Sequence, residues 1–380
     1  MPVYLDHASS EPLAPEARET LLAALDAGWA DPDRLHSPAR QARLLLDNAR
    51  AVVAESLGVR RDEVSFASSG TQAVHLGVLG LLAGRRRVSS RLVLSVVEHS
   101  AVFSAGRWWA GQVDGECRTA GVDPGGRLRA DAVTAVLTEP AGVLAVQQAN
   151  PEVGTVQPLA EVARIAAGPG VPVFVDACAT AGLLPLPPAW DAVALSAHKW
   201  GGPAGVGVLV VRKGARWRAP FPDDDRPDPR VTGFENVPGA LAAAAALQAR
   251  VAERDALTRQ HRALAERLVT GLRDIPDVDA HGPPPEARTE VRVPHVVSFS
   301  FLYLDGETLV HELDRRDFRV ASGSACTASA LEPSHVLAAM GALTHGNVRV
   351  SFGRETTPGD VDGLLDALRE IVPRLRDGAP

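Results

Sequence analysis

Lysine occurs only at Lys199 and Lys213 in a chain of 380 residues whose 39 basic side chains are otherwise arginine. Lys213 follows the apolar run 206–211, beside Arg212 and Gly214, and reads as an ordinary strand-end charge. Lys199 lies in Ala194-Leu195-Ser196-Ala197-His198-Lys199-Trp200-Gly201-Gly202-Pro203, between two strand-like runs. A lysine in a Gly/Pro-rich turn is usually a solvated charge. Here Ser196 and His198 flank the amine with hydrogen-bonding groups, and an amine does what a guanidinium cannot: it forms a Schiff base. Asp176 closes the apolar run 171–175 just upstream. An aspartate ending one buried strand and a lysine following the next are what a pyridoxal phosphate site needs, one for the ring nitrogen and one for the aldehyde.

Other residues join this pair. Ser68-Ser69-Gly70-Thr71 separates a strand at 64–67 from a helix at 72–82. Such a turn makes an ordinary helix cap, but it also offers unpaired N–H groups and a favourable dipole to a phosphate. Beside Asp176 and Lys199 it reads as a phosphate cup formed by Gly70 and Thr71, with Ser196 and His198 as further candidates. The three cysteines, Cys117, Cys178 and Cys326, are odd in number and widely spaced, with no CxxC pair. This points to a reduced, cytoplasmic protein without a disulfide frame or a metal site. Cys178 fits a buried small hydrophobe, and Cys117 carries no readable role. Cys326 lies in Ala321-Ser322-Gly323-Ser324-Ala325-Cys326-Thr327-Ala328-Ser329. Small residues without apolar periodicity predict a mobile loop with a reachable thiol.

The segment 194–203 resembles the cofactor-lysine motif of the class V aminotransferase family, and the chain as a whole looks like a group I cysteine desulfurase. The Ser-Gly-Ser-Ala-Cys-Thr run at 322–327 and the segment 331–337 are also similar to that group. The resemblance implies that His99, after a strand at 92–97, stacks on the cofactor ring and moves a proton. It implies that Asn150, in Asn150-Pro151-Glu152-Val153-Gly154, faces the cofactor's phenolic oxygen and the substrate. Arg349 would take the substrate carboxylate, with Arg354 a weaker candidate, and Cys326 would attack the substrate's sulfur. A homodimer that converts L-cysteine to L-alanine, and passes the sulfur from a Cys326 persulfide to an acceptor protein, is the activity implied. Two positions depart from the group's pattern: Ala179 stands where glutamine is common, and Phe234 where a threonine reaches the partner's cofactor phosphate. Two other readings stay open, another class V enzyme (an aminotransferase or C–S lyase) and a weakly active sulfur-relay scaffold.

The elements that must position these residues are legible in outline. Strand, turn and helix units from 60 to 215 predict an α/β fold, a large domain whose mainly parallel sheet is flanked by helices. Its site residues fall at strand ends, where open α/β sheets bind ligands. An amphipathic helix is expected at 39–57, an alanine-rich helix at 240–247 and a long charged helix at 251–275. A proline-rich connection follows at 276–294. Strands at 296–301, 318–320 and 348–352, a helix at 307–314 and a last helix capped by Thr357 predict a smaller α+β C-terminal domain. The expected division is 15–250 for the cofactor domain, and 1–14 with 251–380 for the small domain carrying the Cys326 loop. A net charge of −7 and a pI near 5.9 argue against direct nucleic-acid or membrane-surface binding. The start lacks the basic and apolar regions of a signal peptide, and no apolar run reaches membrane-spanning length.

Overall fold

The computed structural model describes residues 2–222, 224–322 and 333–377. Cys326 and its neighbours, on which the loop expectation falls, lie outside the described residues. After β1 (Val3–Tyr4) come helices α1 (Pro15–Ala27) and α2 (Ser37–Leu57). Each carries proline in its first turn, where no N–H is needed, and α2 ends on Gly58 in the left-handed conformation. The buried residues Ala39, Ala42, Leu46, Ala49 and Val53 recur at helical spacing.

Seven strands then build the main sheet: β2 (Val64–Ala67), β3 (Leu92–Ser95), β4 (Cys117–Ala120), β5 (Val143–Gln147), β6 (Val173–Asp176), β7 (Ala192–Ser196) and β8 (Gly207–Val211). Their order is β2-β8-β7-β6-β5-β3-β4. Strands β4, β3, β5, β6 and β7 pair in parallel, and β8 runs antiparallel to both β7 and β2. Helices α3 (Gly70–Arg85), α4 (Ser100–Val113), α5 (Ala130–Val136) and α6 (Leu159–Ala167) connect them. Alternate residues feed opposite faces: Leu144, Val175 and Val193 enter one core, and Val143, Phe174 and Ala192 the other. With both faces covered, the strands read as continuous apolar runs. The edge strand β4 is exposed at three of its four residues, which is why sequence pattern did not reveal it.

The helix α7 (Val237–Leu272) runs unbroken for 36 residues. Sequence reasoning divides this region into two helices, a correction explained by the junction itself: Gln248, Ala249 and Arg250 include no glycine or proline to break the helix. Its first part, including Ala240 and Leu247, packs in the core of the main sheet, whereas Leu264, Leu268 and Leu272 pack in a second core. That second core surrounds an antiparallel sheet of β9 (Val278–His281), β10 (Val296–Phe301) and β12 (Asn347–Ser351), in the order β12-β10-β9. Helix α8 (Gly306–Asp314), strand β11 (Phe318–Arg319) and helix α10 (Pro358–Asp377) complete it, whereas helix α9 (His335–Met340) packs with Val97 and Val153. Strand β9 falls inside the proline-rich run read as connection; its Asp279 and Ala280 are exposed, so no apolar alternation marks it.

The N-terminal segment joins the two units. β1 pairs in parallel with β11, Leu5 lies in the second core, and Ser351 N donates to Leu5 O at 2.7 Å. The chain then runs beside the Lys199 turn, where Glu11 N donates to His198 O at 2.9 Å and Ala14 N to Gly201 O at 2.8 Å. Among the described residues, no helix is long and apolar enough to cross a membrane.

Candidate active site

A cavity of about 140 Å³ opens at the carboxyl ends of the parallel strands, lined by Gly70, Thr71, His99, Asp176, Ser196, His198 and Lys199 among others. Seven of the residues singled out by sequence thus meet in one place. The mechanism of convergence is the parallel sheet itself. Asp176 ends β6 and Ser196 ends β7, Lys199 closes the short turn that follows, and Gly70 and His99 come just after β2 and β3.

The start of α3 sits unusually close to the sheet. A Cβ on Gly70 would lie 2.5 Å from Ser196 Cβ, and one on Gly207 would lie 2.1 Å from Ser69 O. Only glycine permits both approaches, so the α3 amides reach the cavity. Ser69 caps the helix, its Oγ accepting from Gln72 N at 3.0 Å. First-turn amides such as those of Gly70 and Thr71 have no partner within their own helix. Ser196 Oγ and His198 Nδ1 lie 3.0 Å apart beside them. Burial, with the nearby Lys199 charge, lowers the His198 pKa, so the ring is neutral at neutral pH.

Asp176 is buried, and its Oδ1 accepts from Cys178 N at 3.0 Å. Cys178 lines the same cavity, and burial pushes its thiol well above the ordinary range, with the Asp176 charge acting in the same direction. His99 caps α4, its Nδ1 accepting from Ala101 N at 3.1 Å. Burial depresses its pKa, so the ring is neutral and its proton resides on Nε2. Lys199 Nζ donates to Ala8 O at 2.6 Å and Ser9 O at 2.8 Å.

Asn150 is placed differently from the others. Its Oδ1 accepts from Glu152 N at 2.8 Å and Val153 N at 3.1 Å, and its Nδ2 donates to Val97 O at 3.3 Å. The amide closes its own turn and lines a second, smaller cavity with Lys199, His7, Glu11, Arg250 and His295. Ala179 lines both cavities. Arg349, on β12, is buried and donates through Nη2 to Asp6 Oδ1 at 2.7 Å and Ser9 Oγ at 2.6 Å. Arg354 pairs instead with Glu16 and Glu253. Phe234 is 53% exposed and lines a separate pocket with Gln72, Gly205 and Asn236, outside the main cavity.

Both flanks of the segment that contains Cys326 are bonded to residues near this site, Arg349, Glu152 and Glu98. Ala321 and Arg349 exchange backbone hydrogen bonds of 3.1 and 2.8 Å. On the other flank, Ser334 Oγ donates to Glu152 Oε2 at 2.5 Å, and His335 Nε2 donates to Glu98 O at 3.0 Å.

Sequence reasoning missed Glu98, Gln147 and the carbonyls of Ala8 and Ser9. Glu98 is fully buried, and burial raises its pKa well above the carboxylate range, although Gln147 N donates to Oε1 at 2.8 Å. The Glu98-His99 pair was a legible signal of which only the histidine was read. Backbone acceptors leave no mark in a sequence.

The donor set fits pyridoxal phosphate: a carboxylate for the ring nitrogen, an amine for the aldehyde, and helix amides with Ser196 for the phosphate, around a cradle that a Cβ on Gly70 would fill. A parallel α/β sheet with a lysine at its strand ends, and a smaller α+β unit beside it, is the class of architecture that the fold defines. The chain belongs to the class-V aminotransferase family, whose model matches residues 3–364. It is 31% identical over 385 residues to "Cysteine desulfurase IscS" of Dictyoglomus turgidum, covering 100% of this chain and 96% of that protein. It is 33% identical to "IscS-like cysteine desulfurase" of Mycobacterium tuberculosis, covering 99% of this chain and 98% of that one. Among solved structures, one described as "NIFS-LIKE PROTEIN" superposes with a TM-score of 0.89 at 26% identity, covering 98% of this chain and all of that chain.

Proposed function

We propose that this chain is a pyridoxal phosphate-dependent cysteine desulfurase, which takes the sulfur of L-cysteine and releases L-alanine. The observation that carries the reading is that Lys199, Asp176 and the α3 N-terminus line one cavity, while the flanks of the Cys326 segment bond to Arg349 and to Glu98, the neighbour of His99. When bound, pyridoxal phosphate supplies an electron sink conjugated to the substrate's amine. Lys199 holds the cofactor and moves the α-proton, and Asp176 keeps the ring nitrogen protonated. Gly70, Thr71, Ser196 and His198 receive the phosphate. His99, with its proton on Nε2, would pack against the ring, and Asn150, which lines the smaller cavity with Lys199, would face the cofactor's phenolic oxygen and the substrate. Arg349 binds the substrate carboxylate, because a planar guanidinium matches it bidentately.

The Cys326 thiolate attacks the substrate's sulfur. The substrate's Cβ–S bond breaks, its electron pair stays on Cβ, and a proton converts Cβ to the methyl of alanine. Cys326 is left as a persulfide for an acceptor protein. We read residues 15–250 as the cofactor domain, and 1–14 with 251–380 as the small domain. We further propose a cytoplasmic homodimer. Exposed Leu22 and Leu25 on α1, Leu44 on α2, and Trp29 support association through that side.

The test uses the loaded protein. Borohydride should fix the cofactor on Lys199, and mass spectrometry after brief exposure to cysteine should find one added sulfur on the peptide containing Cys326. Cys326→Ser should reduce alanine production to near background. An added sulfur on Cys178, or alanine at the parent rate from Cys326→Ser, would favour a lyase or aminotransferase instead.

A further inference from the structure

A guanidinium carries five N–H donors, and in Arg349 they are unevenly used. Nη2 donates to Asp6 Oδ1 at 2.7 Å and to Ser9 Oγ at 2.6 Å, which engages both of its hydrogens. Among the described residues Nη1 reaches only Pro151 O, at 3.4 Å. Among the described residues Nε has no partner, although the side chain is only 2% exposed. A buried donor without an acceptor is costly, and a ligand oxygen at this position would relieve that cost.

A carboxylate meets a guanidinium bidentately, either side-on through Nε and Nη2 or end-on through Nη1 and Nη2. Both arrangements need a hydrogen of Nη2, and both of those are engaged by Asp6 and Ser9. An incoming carboxylate therefore finds one prong open, at Nε, and the other occupied by a carboxylate of the chain itself. We propose that Asp6 is a built-in competitor at Arg349, a stand-in for the substrate's carboxylate that yields the Nη2 prong when an amino acid binds and so sets the site's affinity for carboxylates. This rests on the reading of Arg349 as the substrate-carboxylate residue.

The surroundings suit such an exchange. The Asp6 backbone is pinned, by its bridge to Ser351 and by Ser9 N donating to Asp6 O at 3.0 Å. Its side chain keeps 22% exposure, so the carboxylate can turn toward water without moving the backbone. Ser9 couples the exchange to the amine. Its hydroxyl donates to Asp6 Oδ1 at 2.9 Å and accepts from Arg349, while its carbonyl accepts from Lys199 Nζ at 2.8 Å. One residue thus touches both the guanidinium read for the substrate's carboxylate and the lysine read for the cofactor.

The experiment titrates the cofactor-loaded protein with L-alanine and with ethylamine, which lacks the carboxylate, following the visible absorption. Asp6→Asn keeps the shape and removes the competing charge. It should bind L-alanine about tenfold tighter, the worth of one charge-assisted hydrogen bond released from competition, and ethylamine as the parent does. Ser9→Ala should shift L-alanine binding in the same direction by less. A thermal-shift titration with propionate, which needs no cofactor signal, should show the same order of affinities. Unchanged or weaker L-alanine binding in Asp6→Asn, or an equal shift for both ligands, overturns the proposal. Arg349→Gln separates the two readings: if it binds L-alanine as the parent does, the assignment of Arg349 itself fails, whatever Asp6→Asn shows.

Discussion

Replacing Glu11 by glutamine tests how the N-terminal segment is held against the lysine turn. Arg250, in α7, is 5% exposed, and its Nη2 lies 3.1 Å from Glu11 Oε1. The other carboxylate oxygen, Oε2, lies 2.7 Å from His7 Nδ1. Glu11→Gln keeps the shape and leaves Arg250 buried without a countercharge, a loss worth about 3–5 kcal/mol. The double variant Glu11→Gln/Arg250→Met removes both charges and should recover most of that loss. Urea denaturation followed by tryptophan fluorescence at pH 7 measures the cycle. Acid adds a signature. Burial alone would raise the Glu11 pKa, but the hydrogen bond from His7 and the Arg250 charge bring it below the usual range. A carboxyl lowered on folding stabilises above its unfolded pKa of about 4.3, and the contribution fades as pH falls through the folded value. The parent and Glu11→Gln should therefore converge in acid. A Glu11→Gln protein within about 1 kcal/mol of the parent at pH 7, or a double variant no more stable than the single, would refute the reasoning, since a buried pair broken on one side cannot cost so little.

Two further outcomes follow from the same packing. Burial, with the Arg250 charge, holds His261 at a pKa of about 4; a base lowered on folding stabilises above its unfolded pKa of about 6.5, and the contribution is lost as pH falls toward 4. His261→Gln should flatten the thermal midpoint over that window by an amount equivalent to about 3 kcal/mol, leaving the slope due to His295, which burial pushes well below its ordinary value; an unchanged slope would exclude His261 as a source. Gly70→Ala places a Cβ 2.5 Å from Ser196 Cβ and must lift α3 off the sheet, at about 1–3 kcal/mol. Its affinity for pyridoxal phosphate should fall, while Gly111→Ala, with nothing within 4 Å of the added Cβ, should retain it; equal retention in both would show that α3 does not receive the phosphate.

The chemistry was legible in the sequence because it depends on residue types at strand ends. One of only two lysines, an aspartate closing an apolar run and a small-residue turn opening a helix are local signals, and the parallel sheet brings local strand ends together without further instruction. Lys199, Asp176, Gly70, Thr71, His99, Ser196 and His198 line one cavity for that reason. The sheet itself was readable because strands buried on both faces need unbroken apolar runs. What the tertiary structure alone decided are contacts between segments far apart in the chain. Asp6 meets Arg349 across a separation of 343 residues, and the amine of Lys199 rests on carbonyls of Ala8 and Ser9, groups that every residue carries and no pattern marks. The continuity of α7, the edge strand β4 and the exposed strand β9 were hidden for a related reason. Where one face of an element meets water, or where nothing forbids a helix to continue, the apolar pattern stops carrying information and packing between the two cores decides.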